Sequence, residues 1–248
     1  MFKWKIASAY AIGQGHIKNN TPCQDRTFKL IKKSSKGTFY GLALADGAGS
    51  CKYSDIGAEF ITKKILYFFN SKFSYILNKK NPSVYIRQYI EKELLNLSIK
   101  KNINFKDLSS TLLVVAIKGN KVIIGHIGDG VIGVLDKNSH LKTLSKPMNG
   151  EYSNSTFFTT STYYENRLKI IKGSIKESVG FILMSDGTEE SLYNKQMESL
   201  VDANKTIINW LNTKSEKIVE NALIQNLEQV LTKQTYDDCS IGVIRIVE

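Results

Sequence analysis

Cysteine, proline and histidine are all scarce in this chain, at three residues each in 248. Cys23, Cys51 and Cys239 are odd in number and far apart, so neither a disulfide framework nor a CxxC zinc site is available, and a reducing cytoplasm is the expected setting. His16, His126 and His140 show no metal-ligand spacing. With so few prolines, and no linker rich in Pro, Gly or Ser, one domain over residues 1–248 is expected. No apolar run approaches the roughly 18–20 residues of a membrane span, and MFKWKIASAY alternates like a strand without a signal peptide's apolar core. GxxxxGKS/T and GxSxG are absent, which removes the key turns of P-loop and α/β-hydrolase folds. GDGVIG (128–133) matches GxGxxG formally, yet β-like VIGVL follows it where a dinucleotide site needs a helix. Arginine is scarce too: thirty of the 34 basic residues are lysine. Base readout leans on arginine geometry, and these lysines form no dense run, so the net charge of +11 reads as a solvated surface rather than a nucleic-acid face. A phosphorylated, acidic partner also suits such an exterior.

Hydrophobic residues make up 42% of the chain, enough for a real core. Strands are expected at 4–10, 26–32 and 38–46. A helix follows, with Ala58, Ile61, Ile65, Phe68 and Phe69 on one face and Ser54 or Asp55 as N-cap. A second helix spans about 83–100, with Ile86, Ile90, Leu94 and Leu97 on one face. The period then changes to two. STLLVVAIKGNKVIIGHIG holds two β runs split by Gly119-Asn120, a hairpin signal, and VIGVL (131–135), HLKTL, LKIIKG and VGFILMS read as further strands. Residues 150–165 are polar, aromatic and aperiodic, the composition of a flap. Residues 188–232 read as helices, with Ile207, Trp210 and Leu211, then Ile218, Ala222, Leu223 and Leu227 at helical spacing, and CSIGVIRIV closes as a strand expected to pair with early ones. Runs of strands and runs of helices argue for one α+β domain.

Carboxylates recur at strand ends. LALADGAGS carries Asp46 after an apolar strand, VIIGHIGDG carries Asp129 and FILMSDG carries Asp186, each followed by glycine. Asp25 precedes a strand in TPCQD, and Asp237 and Asp238 precede the last one. A single Asp-Gly is usually a turn. Carboxylates gathered at one end of a sheet sandwich would repel, and hard divalent cations such as Mg²⁺ or Mn²⁺ resolve that conflict through oxygen ligands. The expected product is a two-metal site that activates water against a phosphate ester.

In this order, PCQD, ADGAGS, SSTLL, GHIGDG, the NGEYSNST loop, LMSDG and DDCSIGV resemble the motifs of the metal-dependent serine/threonine protein phosphatases (PPM, protein phosphatase type 2C) in their compact bacterial form, over about residues 13–246. The resemblance implies a four-layer α-β-β-α sandwich, two antiparallel sheets flanked by helices. It implies that Asp46 bridges two metals, that Gly47 gives its carbonyl to one, and that Asp186 and Asp237 hold the other. Asp129 matches the position of a third metal, and Asp25 would hold first-shell waters. Asp238 falls where the family often has Asn and ranks below Asp237. The implied partners are phosphorylated proteins, among them a Ser/Thr kinase and its targets, with no nucleic acid, no membrane and a monomer by default.

The chain also departs from that pattern. Gln24 stands in place of a glutamate, and Ala48 stands where eukaryotic members carry a histidine proposed as general acid. The arginine those members use to grip phosphate has no equivalent near Asn20. Weaker metal binding or a water acting as acid is therefore expected; His16, which lies in the N-terminal loop and titrates near neutrality, is a further candidate acid, and His16, Lys18 and Arg26 are the candidates for holding phosphate. A weakly catalytic pseudophosphatase that binds phosphoproteins is the alternative, resting on the missing Glu and His. Each cysteine lies within five residues of a site aspartate, which raises oxidative inhibition as a hypothesis.

Overall fold

The structure, a computed structural model, describes residues 3–35, 37–148, 156–161 and 167–247. The chain opens with strand β1 (Lys3–Ala11), one helical turn α1 (Gln14–Lys18), and strands β2 (Arg26–Lys32) and β3 (Phe39–Ala45). Helices α2 (Ser54–Asn78) and α3 (Ser83–Lys101) follow, then strands β4 (Leu112–Lys118), β5 (Lys121–Ile127), β6 (Val131–Asp136) and β7 (Leu141–Ser145). Strands β8 (Lys169–Ser174) and β9 (Ser178–Met184) lead into helix α4 (Asp186–Leu192) and a small hairpin, β10 (Tyr193–Asn194) with β11 (Ser199–Leu200). Helices α5 (Ala203–Thr213) and α6 (Glu216–Gln229) precede the last strand, β12 (Cys239–Val247).

Two antiparallel five-stranded sheets result, one ordered β1-β12-β9-β6-β7 and the other β2-β3-β4-β5-β8. The strand sequences explain why the sheets lie face to face. In β3, Phe39, Ala43 and Ala45 pack towards α2 and α3, while Tyr40, Leu42 and Leu44 enter the space between the sheets. β4 divides in the same way, with Leu112, Val114 and Ala116 on the helix side and Leu113, Val115 and Ile117 between the sheets. A strand buried on both faces must be apolar at every position, which is why these runs do not alternate with polar residues. On the other sheet, Ile241 and Val243 of β12 meet α5 and α6, whereas Ile244 faces inward with Trp4, Ile6 and Phe181. The layers are thus helix, sheet, sheet, helix, as expected from the sequence.

The helix faces are set by their 3.6-residue period. Ala58, Ile61, Ile65, Phe68 and Phe69 of α2 are buried, as are Ile86, Ile90, Leu94 and Leu97 of α3. Phe68 stacks on Tyr89 at 3.8 Å between ring centroids and joins the two helices. Three local expectations need correction. Neither Ser54 nor Asp55 caps α2; Tyr53 holds the cap position without a side-chain bond, and Asp55 sits in the first turn beside Arg26. Ile218 is 54% exposed, because the stripe that meets β1 runs through Val219, Leu223 and Leu227, one position round the helix. Within 188–232, the β10–β11 hairpin interrupts the expected run of helices.

Antiparallel pairing brings the aspartate-bearing ends together. Arg26 pairs with Ala45, Leu44 with Leu113, and Leu112 with Ile127 in one sheet. In the other, Val131 and Ile241 both pair with Met184, and Cys239 pairs with Ala11. The residues just beyond these pairs are Asp25, Asp46, Asp129, Asp186 and Asp238, all at one rim of the sandwich.

Candidate metal centre

Asp46 leaves β3 beside the start of β4. Its backbone carbonyl accepts from the Thr111 N–H at 2.7 Å, and its N–H donates to Thr111 Oγ1 at 2.9 Å. Gly47 then pairs with Ser110. A Cβ at Gly47 would lie 2.8 Å from Ser54, so only glycine lets this turn pack on the start of α2. Asp129 sits in the link from β5 to β6, which crosses from one sheet to the other, and Asp186 opens α4 directly after β9. A Cβ at Gly187 would meet the Asp238 carbonyl oxygen at 2.2 Å. The two chain segments that carry Asp186 and Asp237 are therefore in backbone contact.

Asp46, Asp129 and Asp186 each offer a carboxylate oxygen within 4.8 Å of the others. No lysine, arginine or histidine among the described residues pairs with any of the three. Burial pushes the carboxyl of Asp46 well above the ordinary carboxylate range, and Asp25, Asp186, Asp237 and Asp129 push it further. Asp186 is raised by burial and then by Asp129, Asp237 and Asp25. Asp237 is raised too, mainly by burial. Asp25 is fully buried; Ser185 Oγ donates to its Oδ2 at 2.7 Å, and its Oδ1 has no partner. Asp129 accepts on Oδ2 from Thr156 Oγ1, while its Oδ1 is buried and unpartnered. Crowded carboxylates without a cationic partner, two of them with idle buried oxygens, form a donor set of oxygen alone. That is what a hard divalent cation requires, so the residues present suit Mg²⁺ or Mn²⁺.

Asp238 stands apart from this group. It accepts from the Gly13 N–H at 2.7 Å, the Gln24 N–H at 2.6 Å and His16 Nδ1 at 2.8 Å. This carboxylate ties the loop of residues 12–25 to the start of β12, and it holds the His16 ring by one nitrogen. His16 is close enough for its charge to favour the ionised form of Asp237. His126, by contrast, is a packed residue, bonded to Ser145 Oγ and the Gly128 carbonyl, and burial lowers its pKa to about 3.

The two basic residues of the loop are already engaged. Arg26 donates to the carbonyls of Cys23 and Asp25, lies 3.5 Å from Asp55 and covers the Tyr10 ring. Lys18 lies over Tyr236, 5.1 Å from the ring centroid. Of the cysteines, all unpaired, burial pushes the thiols of Cys23 and Cys239 up, the latter to about 12. Most of the 150–165 stretch lies outside the described residues; 156–161 is anchored by the Thr159 N–H on the Ser110 carbonyl and by Thr160 on Ser109. Ser185, Thr111 and Thr156 are the positioning residues that individual sequence motifs did not single out. Ser185, Thr111 and Thr156 stand inside LMSDG, SSTLL and NGEYSNST, but a hydroxyl's partner cannot be read from a motif.

The family model for protein phosphatase 2C matches residues 12–231. This chain belongs to that family. A curated relative, serine/threonine-protein phosphatase 3 of Escherichia coli (strain K12), is 28% identical over 175 residues. That match takes in 67% of this chain and 66% of the relative, so the chain spans just under two thirds of the relative's length. Among solved phosphatase 2C-like folds, a bacterial serine phosphatase superposes with a TM-score of 0.67 at 14% identity, covering 99% of this chain and 98% of the other. Stp1 from Staphylococcus aureus gives 0.64 at 15% identity, over 99% and 95% of the two chains. The catalytic domain of PstP, solved with two manganese ions, gives 0.61 at 14% identity over the whole of both chains. At these identities the solved structures speak for the fold.

Proposed function

We propose that this chain, acting as one catalytic domain, hydrolyses phosphoserine and phosphothreonine in proteins with the help of Mg²⁺ or Mn²⁺. The observation that carries the reading is the meeting of Asp46, Asp129 and Asp186 within 4.8 Å with no cationic side chain paired to them among the described residues. Asp46 would bridge two ions, the Gly47 carbonyl would complete one shell, Asp186 and Asp237 would hold the second ion, and Asp129 a third. Such ions, when bound, supply a nucleophilic water near neutral pH and offset charge on the phosphoryl oxygens. Asp25, steadied by Ser185, would offer its unpartnered Oδ1 to waters held by the ions. With Ala48 contributing only a methyl group, His16 is the remaining acid: Asp238 fixes Nδ1, and Nε2 delivers the proton to the departing serine oxygen. Lys18 at the rim is the more available phosphate contact, since the Arg26 guanidinium holds the loop beneath.

The substrates in this reading are phosphorylated proteins, including a Ser/Thr kinase and its targets, in a reducing cytoplasm that suits three free cysteines. No helix among the described residues is long and apolar enough to cross a membrane. The test is hydrolysis of p-nitrophenyl phosphate and of phosphoserine peptides with Mn²⁺ or Mg²⁺. Activity should vanish with EDTA and fall by roughly 10³-fold or more in Asp46→Asn, the scale lost when a group acting in a catalytic unit is removed. Turnover by the pure, metal-stripped protein overturns the proposal. Metal binding without turnover favours the phosphoprotein-binding alternative.

A further inference from the structure

A pocket of about 430 Å³ opens beside the acidic centre, within the range of roughly 300–1,000 Å³ typical of ligand sites. Its walls include Cys51, Lys106, Ser109, Phe157, Phe158 and Thr160. Three contacts tie it to the centre. The Ala48 N–H donates to the Ser109 carbonyl, Ser110 pairs with Gly47, and Thr156, also in the wall, donates to Asp129. Ser109 is thus one residue from the partner of Gly47, and Cys51 lies in the turn that follows, its N–H bonded to the Ala48 carbonyl at 2.9 Å. The pocket begins about two residue lengths from Asp46, at about 3.3–3.6 Å per extended residue.

The charge of the pocket is one-sided. Among the described residues, none that lines it is acidic. Lys106 is exposed, and no carboxylate among the described residues pairs with it. The guanidinium of Arg167 lies 4.3 Å from the centroid of the Phe157 ring and adds a second cation behind that wall. Ser109, Thr160 and Ser161 line the same space; the hydroxyls of Ser109 and Thr160 bond to each other, and Ser161 Oγ, which accepts from the Phe158 N–H, keeps its proton to donate. Two phenylalanine rings, donors and an unpaired ammonium suit a side chain with an apolar stem and an anionic head.

Building on the phosphatase reading, we propose that this pocket receives an anionic side chain of the substrate polypeptide, about two residues from the phosphorylated one, with Lys106 as the cation that recognises it. The anion is a carboxylate or a second phosphoryl group, which share charge and acceptor oxygens. Lys106 selects among substrates and takes no part in the chemistry.

The test uses the full chain with Mn²⁺ and a series of phosphoserine peptides carrying Glu, a second phosphoserine, or Lys at each position within three residues of the target. Wild type should prefer Glu or phosphoserine over Lys at one position by about tenfold in kcat/KM, expressed in KM, a factor that corresponds to about 1.4 kcal/mol. The size of the phosphoserine effect relative to Glu tells which anion fits. Lys106→Glu should invert the preference while leaving p-nitrophenyl phosphate turnover unchanged, because that substrate is too short to reach the pocket. Normal turnover of p-nitrophenyl phosphate with an unaltered peptide preference overturns the pocket and spares the phosphatase reading. Absence of all turnover overturns the phosphatase reading; the same peptides then report on the pocket through their Kd, and a Glu-to-Lys ratio that Lys106→Glu does not move overturns it there.

Discussion

Removing a charge from the acidic centre should stabilise the metal-free protein. Two unit charges 4.8 Å apart, the limit set by Asp46, Asp129 and Asp186, repel by about 3.5 kcal/mol at an effective dielectric of about 20. Part of this is relieved when a carboxyl keeps its proton, which is why burial and neighbouring charge raise Asp46 and Asp186. Holding the proton at alkaline pH has its own cost, about 1.4 kcal/mol per unit of pKa. For Asp46→Asn at pH 8 in EDTA, the expected gain is about 2–4 kcal/mol, or roughly 5–15 °C in Tm at about 2–4 °C per kcal/mol for a chain of this size. The sign with pH follows from the direction of the shifts. A carboxyl raised in the folded state destabilises it above the folded pKa, and the penalty disappears below the unfolded value. Metal-free wild type should therefore gain stability as pH falls from 8 towards 5, and the advantage of the variant should shrink over the same interval. Mn²⁺ at a hundredfold excess over Kd adds about 2.7 kcal/mol to wild type and far less to the variant, which should cancel most of the variant's advantage. Differential scanning calorimetry across pH, with and without Mn²⁺, reads all of these. A variant less stable than wild type at pH 8 in EDTA, or an advantage that ignores pH, would refute the reasoning.

The remaining predictions concern the surrounding scaffold. Asp238→Asn removes the charge that accepts from Gly13, Gln24 and His16, so urea unfolding should show a loss of about 2–4 kcal/mol. Gly187→Ala forces a Cβ against the Asp238 carbonyl; it should cost about 1–3 kcal/mol and weaken Mn²⁺ binding by calorimetry, because Asp186 and Asp237 are pushed apart. His16→Gln should slow hydrolysis of phosphoserine peptides by about 10²-fold or more and p-nitrophenyl phosphate much less, since nitrophenolate leaves without a proton. Equal loss on both substrates would mean that His16 only supports the loop.

Much of this molecule is legible in local patterns. The apolar run before Asp46 announces a strand buried on both faces, Gly119-Asn120 announces the turn of the β4–β5 hairpin, and the stripe from Ala58 to Phe69 announces how α2 docks. Asp-Gly at three strand ends points to the centre for the same reason: antiparallel strands bring alternate ends to one rim. Distant pairing is what the sequence conceals. Asp237 and Asp238 are adjacent and chemically identical, yet only Asp238 is claimed by backbone donors more than 200 residues away. Ile218 and Val219 are equally apolar, and which of them is covered depends on how α6 is rotated against β1. The Lys106 pocket needs three stretches, near 51, 106–109 and 156–161, whose closeness no periodicity expresses.

The position of β12 has a consequence for how the protein comes into being. Strand β12 lies between β1 and β9, so among the described residues β1 has no other sheet neighbour and stays unpaired until β12, which follows it by more than 200 residues, is in place. Asp237 and the Asp238 anchor of the 12–25 loop arrive with it. A chain still on the ribosome therefore carries Asp46, Asp129 and Asp186 without the strand that locks them together. Folding must wait for its longest-range contacts, which are also the slowest to form. Synthesis up to β12 thus acts as a timer, and any product cut short before Cys239 should be born inert.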